Sequence, residues 1–368
     1  DGNAGAIQFF RVGTMKLEKG RGATIKPDSR FSQFQHEDFD DGWDRIDEDL
    51  PALKTSIIEE MAKTVITYNQ SPDLPFNRSI NPYRGCEHGC SYCYARPTHA
   101  YLELSPGLDF ESRLYAKTNV VERLKKELGA RKYSCEPVVL GANTDPYQPV
   151  EKNLQLTRGI LEVLNECRHP LIIVTKSSLV ERDIDLLSEM AERSLAEVMV
   201  SVTTLDRKLA RRMEPRAAAP GRRLETIGKL AEAGVPTGVM VAPVIPQLTD
   251  TEMESILKAS AERGASSAAY VMLRLPREVG EIFEDWLRNH YPLKAGHVLG
   301  SVRDVRDGKT NDSQFGSRLK GTGAYASIIA QRFQLCCSRL GLNREHQALE
   351  TTLFSPPREE GPQQMSLF

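Results

Sequence analysis

Residues 79–94 read Ser-Ile-Asn-Pro-Tyr-Arg-Gly-Cys-Glu-His-Gly-Cys-Ser-Tyr-Cys-Tyr, which puts three cysteines at C-x3-C-x2-C spacing in one loop directly after a short strand pattern. Soft thiolates gathered this way select iron–sulfur clusters, zinc or Cu(I). Three thiolates on a cubane leave one iron open to a chelating ligand, whereas structural zinc closes its shell with four ligands. His88 or His99 offers a fourth ligand, so a Cys3His zinc site stands as the alternative. No second C-x2-C pair supports it, because Cys135, Cys167, Cys336 and Cys337 lie apart from the loop. Gly85 and Gly89 suit a backbone that wraps a cluster, and equally an ordinary tight turn.

Outward from this loop, strand and helix signals alternate, the pattern of a parallel sheet with crossover helices. The first strand is expected over Ser79 to Arg84. Further buried strands are expected at Val138 to Ala142, Leu171 to Thr175, Val198 to Thr203, Gly238 to Val244 and Ala269 to Leu273. Amphipathic stretches separate them, at residues 120–128, 154–164, 183–193, 224–233, 252–263 and 281–290. Six such units make an α/β fold of the incomplete-barrel kind, a partial (β/α)6 TIM-like barrel, with an open doubly wound sheet as the alternative.

The expected organisation is an N-terminal arm over 1–76, partly disordered, and the barrel over 77–291. A C-terminal extension follows over 292–343, with a hairpin turning at Asp307-Gly308 and a helix from Ala324 to Arg339, and a flexible tail over 344–368. Met15 is a candidate start. With 368 residues, 40% apolar and 27% charged, the chain has the make-up of a globular protein, and no apolar run approaches a bilayer span. A cytoplasmic location without membrane contact is expected, and seven cysteines, an odd number, fit metal or redox chemistry better than disulfides. A net charge of −2 gives no global pull toward nucleic acid. Only the stretch from Arg207 to Arg223, with Lys208, Arg211, Arg212, Arg216 and Arg222, makes a local basic patch, or else a solvated helix face.

Cys86, Cys90, Tyr92 and Cys93 match every position of C-x3-C-x-aromatic-C, and here the sequence resembles the radical S-adenosylmethionine (SAM) superfamily. The resemblance implies that the three cysteines hold a [4Fe–4S] cluster whose open iron binds SAM, with Tyr92 beside the adenine. It also implies a 5′-deoxyadenosyl radical as the hydrogen abstractor, and an electron donor such as flavodoxin or ferredoxin. Residues 79–277 are further similar to the spore photoproduct lyase, or DNA repair photolyase-like, branch. Tyr92 and Tyr94 flank the third cysteine as in the lyase, and Ala142-Asn-Thr-Asp145, Thr175-Lys176-Ser177 and Ser201-Val-Thr-Thr204 end successive strands. By that resemblance Thr144, Lys176 and Ser201 hold the methionine carboxylate, a role suited to hydroxyls and an ammonium at strand ends facing one mouth. Glu214-Pro215-Arg216 also resembles the branch, without an evident role beyond capping a loop.

One departure concerns the chemistry. The lyase's hydrogen-returning cysteine aligns with Ala142, and Cys135 lies seven residues upstream, about 23 Å along an extended strand. Tyr94 is therefore the candidate hydrogen relay, and Asp145 and Tyr147 are candidates for touching substrate, against an Asx turn with a packed ring. The end of the chain, Gln364-Met365-Ser366-Leu367-Phe368, resembles the peptide by which bacterial repair proteins dock on the sliding clamp. The expected function is thus a lyase-like radical SAM enzyme acting on DNA, in lesion repair or base modification. Two alternatives are the same chemistry on tRNA, a peptide or a metabolite, and a non-catalytic iron–sulfur or zinc adaptor on the clamp.

Overall fold

Short runs of β-branched and aliphatic residues form the sheet, and each is followed by a helix whose apolar stripe covers it. The structure, a computed structural model, describes residues 21–32, 53–344 and 348–357. Six parallel strands lie side by side in chain order: β1 (Arg78–Ile80), β2 (Val138–Leu140), β3 (Leu171–Thr175), β4 (Ala196–Ser201), β5 (Thr237–Val244) and β6 (Ser267–Met272). Ile80 stands beside Leu140, Leu140 beside Ile173, and Ile173 beside Val198. The strand Ile66–Tyr68 adds antiparallel to β1, and among the described residues no ladder joins the two end strands of the sheet. Helices Val120–Leu128, Leu156–Glu166, Ile184–Ala191, Pro220–Glu232, Met253–Ala261 and Val279–His290 follow the six strands in turn. The six expected β/α units are all present, and their strands point one set of C-terminal ends at a common mouth.

The expected first strand is split. Pro82 cannot donate to a ladder, so Arg78–Ile80 stays in the main sheet while Tyr83–Arg84 pairs antiparallel with Arg113–Lys117, itself parallel to Ser56–Glu60. One large apolar core lies between sheet and helices. A second joins Cys90 and Tyr92 to Leu209, Met213, Phe283 and Trp286, and so ties the cysteine loop to the last helices.

The extension departs from expectation. Residues 298–304 belong to a helix, Pro292–Asp304, and no strand follows among the described residues. Ala295, Val298, Leu299 and Val302 recur at helical spacing and are buried, and Pro292 sits in the first turn, where its missing N–H does no harm. Asp307 and Gly308, both at positive φ, turn the chain away from that helix instead of joining two strands. The final helix, Gly323–Leu340, lies where expected. Two other segments are better anchored than composition implies. Residues 21–24 are buried against the cysteine loop, and Phe354 packs tilted against Tyr133 and edge-on to His169 while the Ser355 amide donates to the Cys167 carbonyl. The terminal peptide 364–368 lies outside the described residues.

Candidate active site at the cysteine loop

From behind, the loop is held by groups far away in sequence. Arg96, fully buried, donates to the carbonyls of Cys90, Pro106 and Gly107 and pairs with the fully buried Glu111 at 2.5 Å. Glu111 also accepts the amides of Gly22 and Ala23, and Arg21 donates to the Glu111 carbonyl. Gly22 lies so close to the loop that a Cβ there would stand 1.6 Å from the Gly89 carbonyl oxygen. Gln148 donates to the Gly85 carbonyl and accepts the Glu87 amide. The Ser91 amide reaches the Met213 carbonyl. Gly85 and Gly89 both have positive φ, the conformation that glycine adopts without strain.

The three thiols sit inside this cradle, Cys86 and Cys90 buried and Cys93 partly so. Burial pushes all three up from the ordinary thiol range, Cys86 and Cys90 the most, so thiolates here require a cation to hold them. One ring nitrogen of each nearby histidine is engaged by the chain. His88 Nδ1 is 3.3 Å from Asp145 Oδ2, and His99 Nε2 is 2.9 Å from the Arg113 carbonyl oxygen. Among the described residues no three His, Cys, Asp or Glu side chains are gathered as a single-ion site. Three soft thiolates, with no fourth ligand gathered beside them among the described residues, would fit a cubane with one open corner.

The side facing the mouth is different. Tyr92 is buried, with its hydroxyl donating to Glu214 and 3.3 Å from Thr203 Oγ1. Burial opposes the charge of Glu214, but Arg223, Lys176 and the Tyr92 hydroxyl hold its pKa at about 2. Lys176 places its ammonium 6.0 Å from the Tyr92 ring centroid, with no carboxylate or carbonyl within hydrogen-bonding distance among the described residues. Ser201 ends β4 and is buried, and Thr144 Oγ1 donates to the Tyr83 carbonyl at 2.9 Å, with lone pairs to spare. Tyr94, 43% exposed, hydrogen-bonds the Ala142 carbonyl after β2, and the Arg274 guanidinium lies 4.5 Å from its ring centroid.

Of the residues expected from sequence, the thiols, Tyr92 and Lys176 come together, and Tyr94 stands at the mouth. The two loop candidates do not. Asp145 accepts from Thr175 Oγ1 and from the Lys176 and Tyr147 amides, beside His88. It knits β2, β3 and the cysteine loop together, and burial, which would raise its pKa, is outweighed by those partners. Tyr147 is fully buried with its hydroxyl 3.1 Å from Asp183, so the Asx turn with a packed ring is what forms. The basic patch is partly consumed. Arg222 pairs with Glu181 and Arg216 with Glu87, while Arg223, at its C-terminal end, is buried against Glu214. Glu214, noted only as part of Glu-Pro-Arg, orients Tyr92. Arg96, Glu111, Gln148 and Arg274 had no local signal, since each acts through a partner distant in sequence.

A sequence profile of the Radical SAM superfamily matches residues 80–259. An uncharacterized protein of Mycobacterium tuberculosis is 41% identical over 221 residues, which is 60% of this chain and 65% of that protein's length. A protein of Methanocaldococcus jannaschii is 28% identical over 239 residues, 65% of this chain and 85% of that one. Among solved structures, spore photoproduct lyase complexed with dinucleoside spore photoproduct superimposes with a TM-score of 0.55 at 16% identity, covering 78% of this chain and 80% of the lyase. A doubly substituted form of that lyase with bound AdoMet and the same dinucleoside gives 0.50 at 16% identity over the same shares of the two chains. At such identity the likeness is one of fold.

Proposed function

We propose that this chain, which matches the Radical SAM superfamily profile over residues 80–259 and shares its fold with spore photoproduct lyase, is a radical SAM enzyme that carries a [4Fe–4S] cluster on Cys86, Cys90 and Cys93, binds SAM beside it, and acts on DNA in lesion repair or base modification. The single observation that carries this reading is the Lys176 ammonium, unpartnered among the described residues, against Tyr92 and beside the cysteine loop. When bound, cluster and cofactor supply a hydrogen-abstracting radical; the chain supplies position and shelter.

Lys176 takes the methionine carboxylate, with the Thr144 and Ser201 hydroxyls as further polar partners. Tyr92, fixed by Glu214 and Thr203, gives the adenine a rigid wall. Tyr94 closes the mouth and is placed to relay hydrogen, since Ala142 has none of that kind to give. The exposed cations Arg207, Lys208, Arg211 and Arg212 contact phosphates. Gln364, Met365, Leu367 and Phe368 dock on a sliding clamp, and an electron donor such as flavodoxin or ferredoxin reduces the cluster. One observation favours a smaller or non-DNA substrate instead: Arg216, Arg222 and Arg223 are spent on internal carboxylates.

Anaerobic reconstitution followed by dithionite and SAM is expected to give 5′-deoxyadenosine, and deuterium transfer from labelled damaged DNA is expected to exceed that from tRNA, peptides or metabolites. A colourless zinc protein that leaves SAM intact would refute the enzyme assignment, and transfer from tRNA alone would refute the DNA assignment. Deleting residues 364–368 is expected to abolish clamp binding and leave SAM cleavage in place.

A further inference from the structure

Leu273, Arg274 and Leu275 follow β6 at the mouth of the sheet. The two leucines are buried in the second core, and the side chain between them points elsewhere. The segment is held stiffly. Fully buried Arg306 donates to the carbonyls of Met272 and Leu273, the Leu273 amide reaches the Val244 carbonyl, and the Leu275 amide reaches the Thr310 carbonyl. Arg274 is thereby presented over Tyr94, whose own hydroxyl reaches the end of β2. Together the two side chains span the mouth from its last strand to its second.

No hydrogen bond or ion pair joins the Arg274 guanidinium to any described residue, and its Nε is sealed from water without an acceptor. The neighbouring cations are otherwise engaged: Arg318 forms a two-point pair with Asp73, and Arg306 is spent on carbonyls. Burial pulls the Arg274 pKa below its ordinary value, so the ring contact alone leaves the charge poorly compensated. A half-buried, rigidly placed and unpaired guanidinium at a ligand mouth is completed by an anion from the ligand.

We infer that Arg274 is the anion-binding residue of the substrate site, gripping a phosphate group of the substrate above the Tyr94 ring. The inference rests on the proposed DNA-directed reading and names the part of the substrate that is held. Lys176 already stands free beside Tyr92 for the cofactor carboxylate, whereas Arg274 contacts the outer, solvent-exposed tyrosine. The planar fork of arginine matches two oxygens of a phosphodiester, and its ring partner is a surface on which a base also stacks.

The test uses reconstituted holoenzyme in wild-type, Arg274→Gln and Arg274→Lys forms. Two affinities are read, for a short 5′-fluorescein-labelled single-stranded oligonucleotide and for SAM. Arg274→Gln is expected to weaken oligonucleotide binding roughly tenfold and to flatten its salt dependence by about 0.7 in the log–log slope, with Arg274→Lys between the two. SAM affinity is expected to hold within about twofold, on the same separation of phosphate contacts from other binding. Unchanged oligonucleotide affinity in Arg274→Gln would overturn the inference. Weakened SAM binding with oligonucleotide binding intact would also overturn it, by assigning Arg274 to the cofactor's carboxylate. If the wild-type enzyme binds no oligonucleotide, the DNA reading falls by itself. Phenylglyoxal labelling of Arg274 with and without excess pyrophosphate then decides the subsite, protection supporting it and full labelling refuting it.

Discussion

The two sides of the cysteine loop are built on opposite principles. Behind it, Arg96, Glu111, Gln148, Asp145 and the backbone of Gly22 and Ala23 saturate one another, so that each buried charge and most buried polar groups have a partner on the chain. In front of it, the Lys176 ammonium and the Arg274 guanidinium have no counter-charge in hydrogen-bonding distance among the described residues. The first arrangement fixes geometry, because a satisfied buried network has one arrangement. The second costs stability and is retained where a ligand completes it. Perturbing the rear is therefore expected to change folding, and perturbing the front to change binding.

The largest effect is expected from Glu111→Ala, which strands the buried Arg96 and frees two amides at once. Anaerobic urea unfolding of the holoenzyme is expected to show a loss of about 3 kcal/mol or more. A loss under about 1 kcal/mol, the range of an exposed pair, would mean that the rear network is not load-sharing.

Protonation of His169, at the opposite end of the sheet, calibrates what a buried group costs when it titrates. Its pKa is pulled down to about 4 by burial. Between about pH 6.5 and 4 the unfolded chain binds a proton that the folded chain refuses. Stability is therefore full above about 6.5 and falls with pH through that window, by up to about 3 kcal/mol. His169→Gln is expected to flatten the fall in a pH series of urea midpoints, and an identical profile would assign the acid loss elsewhere.

Gly22→Ala sharpens the comparison at the point where the arm meets the loop. With a Cβ 1.6 Å from the Gly89 oxygen the arm has to lift, at about 2 kcal/mol by the range for overpacking. Limited proteolysis is expected to cut the variant ahead of residue 53 faster than the wild type; equal rates would show that the arm holds the loop only loosely. The smallest expected change is Lys176→Met, about tenfold in SAM affinity for one charge-assisted contact, with the urea midpoint held. A shifted midpoint with SAM affinity retained would place Lys176 with the rear, not the front.

How far the molecule was legible from its sequence follows from the same contrast. The loop cysteines, Tyr92 and the strand-end Lys176 sit in local patterns whose spacing carries their chemistry, and the six β/α units have the periodicity of buried strands and amphipathic helices. The rear network has no local pattern: Glu111 meets Gly22 across 89 residues and Gln148 meets Glu87 across 61. Asp145 and Tyr147 were placed at the right strand end, but sequence does not say whether a polar group turns toward the mouth or into the wall. The hairpin expected around Asp307-Gly308 does not form because, although that dipeptide is a strong hairpin signal, the recurrence of Ala295, Val298, Leu299 and Val302 ahead of it is helical and wins.

The central claim is that three thiolates leave one metal corner for the cofactor. It is tested most directly by electron paramagnetic resonance of the dithionite-reduced, reconstituted protein with and without SAM labelled with 15N at the amino group. A reduced [4Fe–4S] signal that shifts on SAM addition is expected, with 15N hyperfine coupling from direct ligation. A cluster whose signal ignores SAM, or a zinc site with no signal at all, would contradict it.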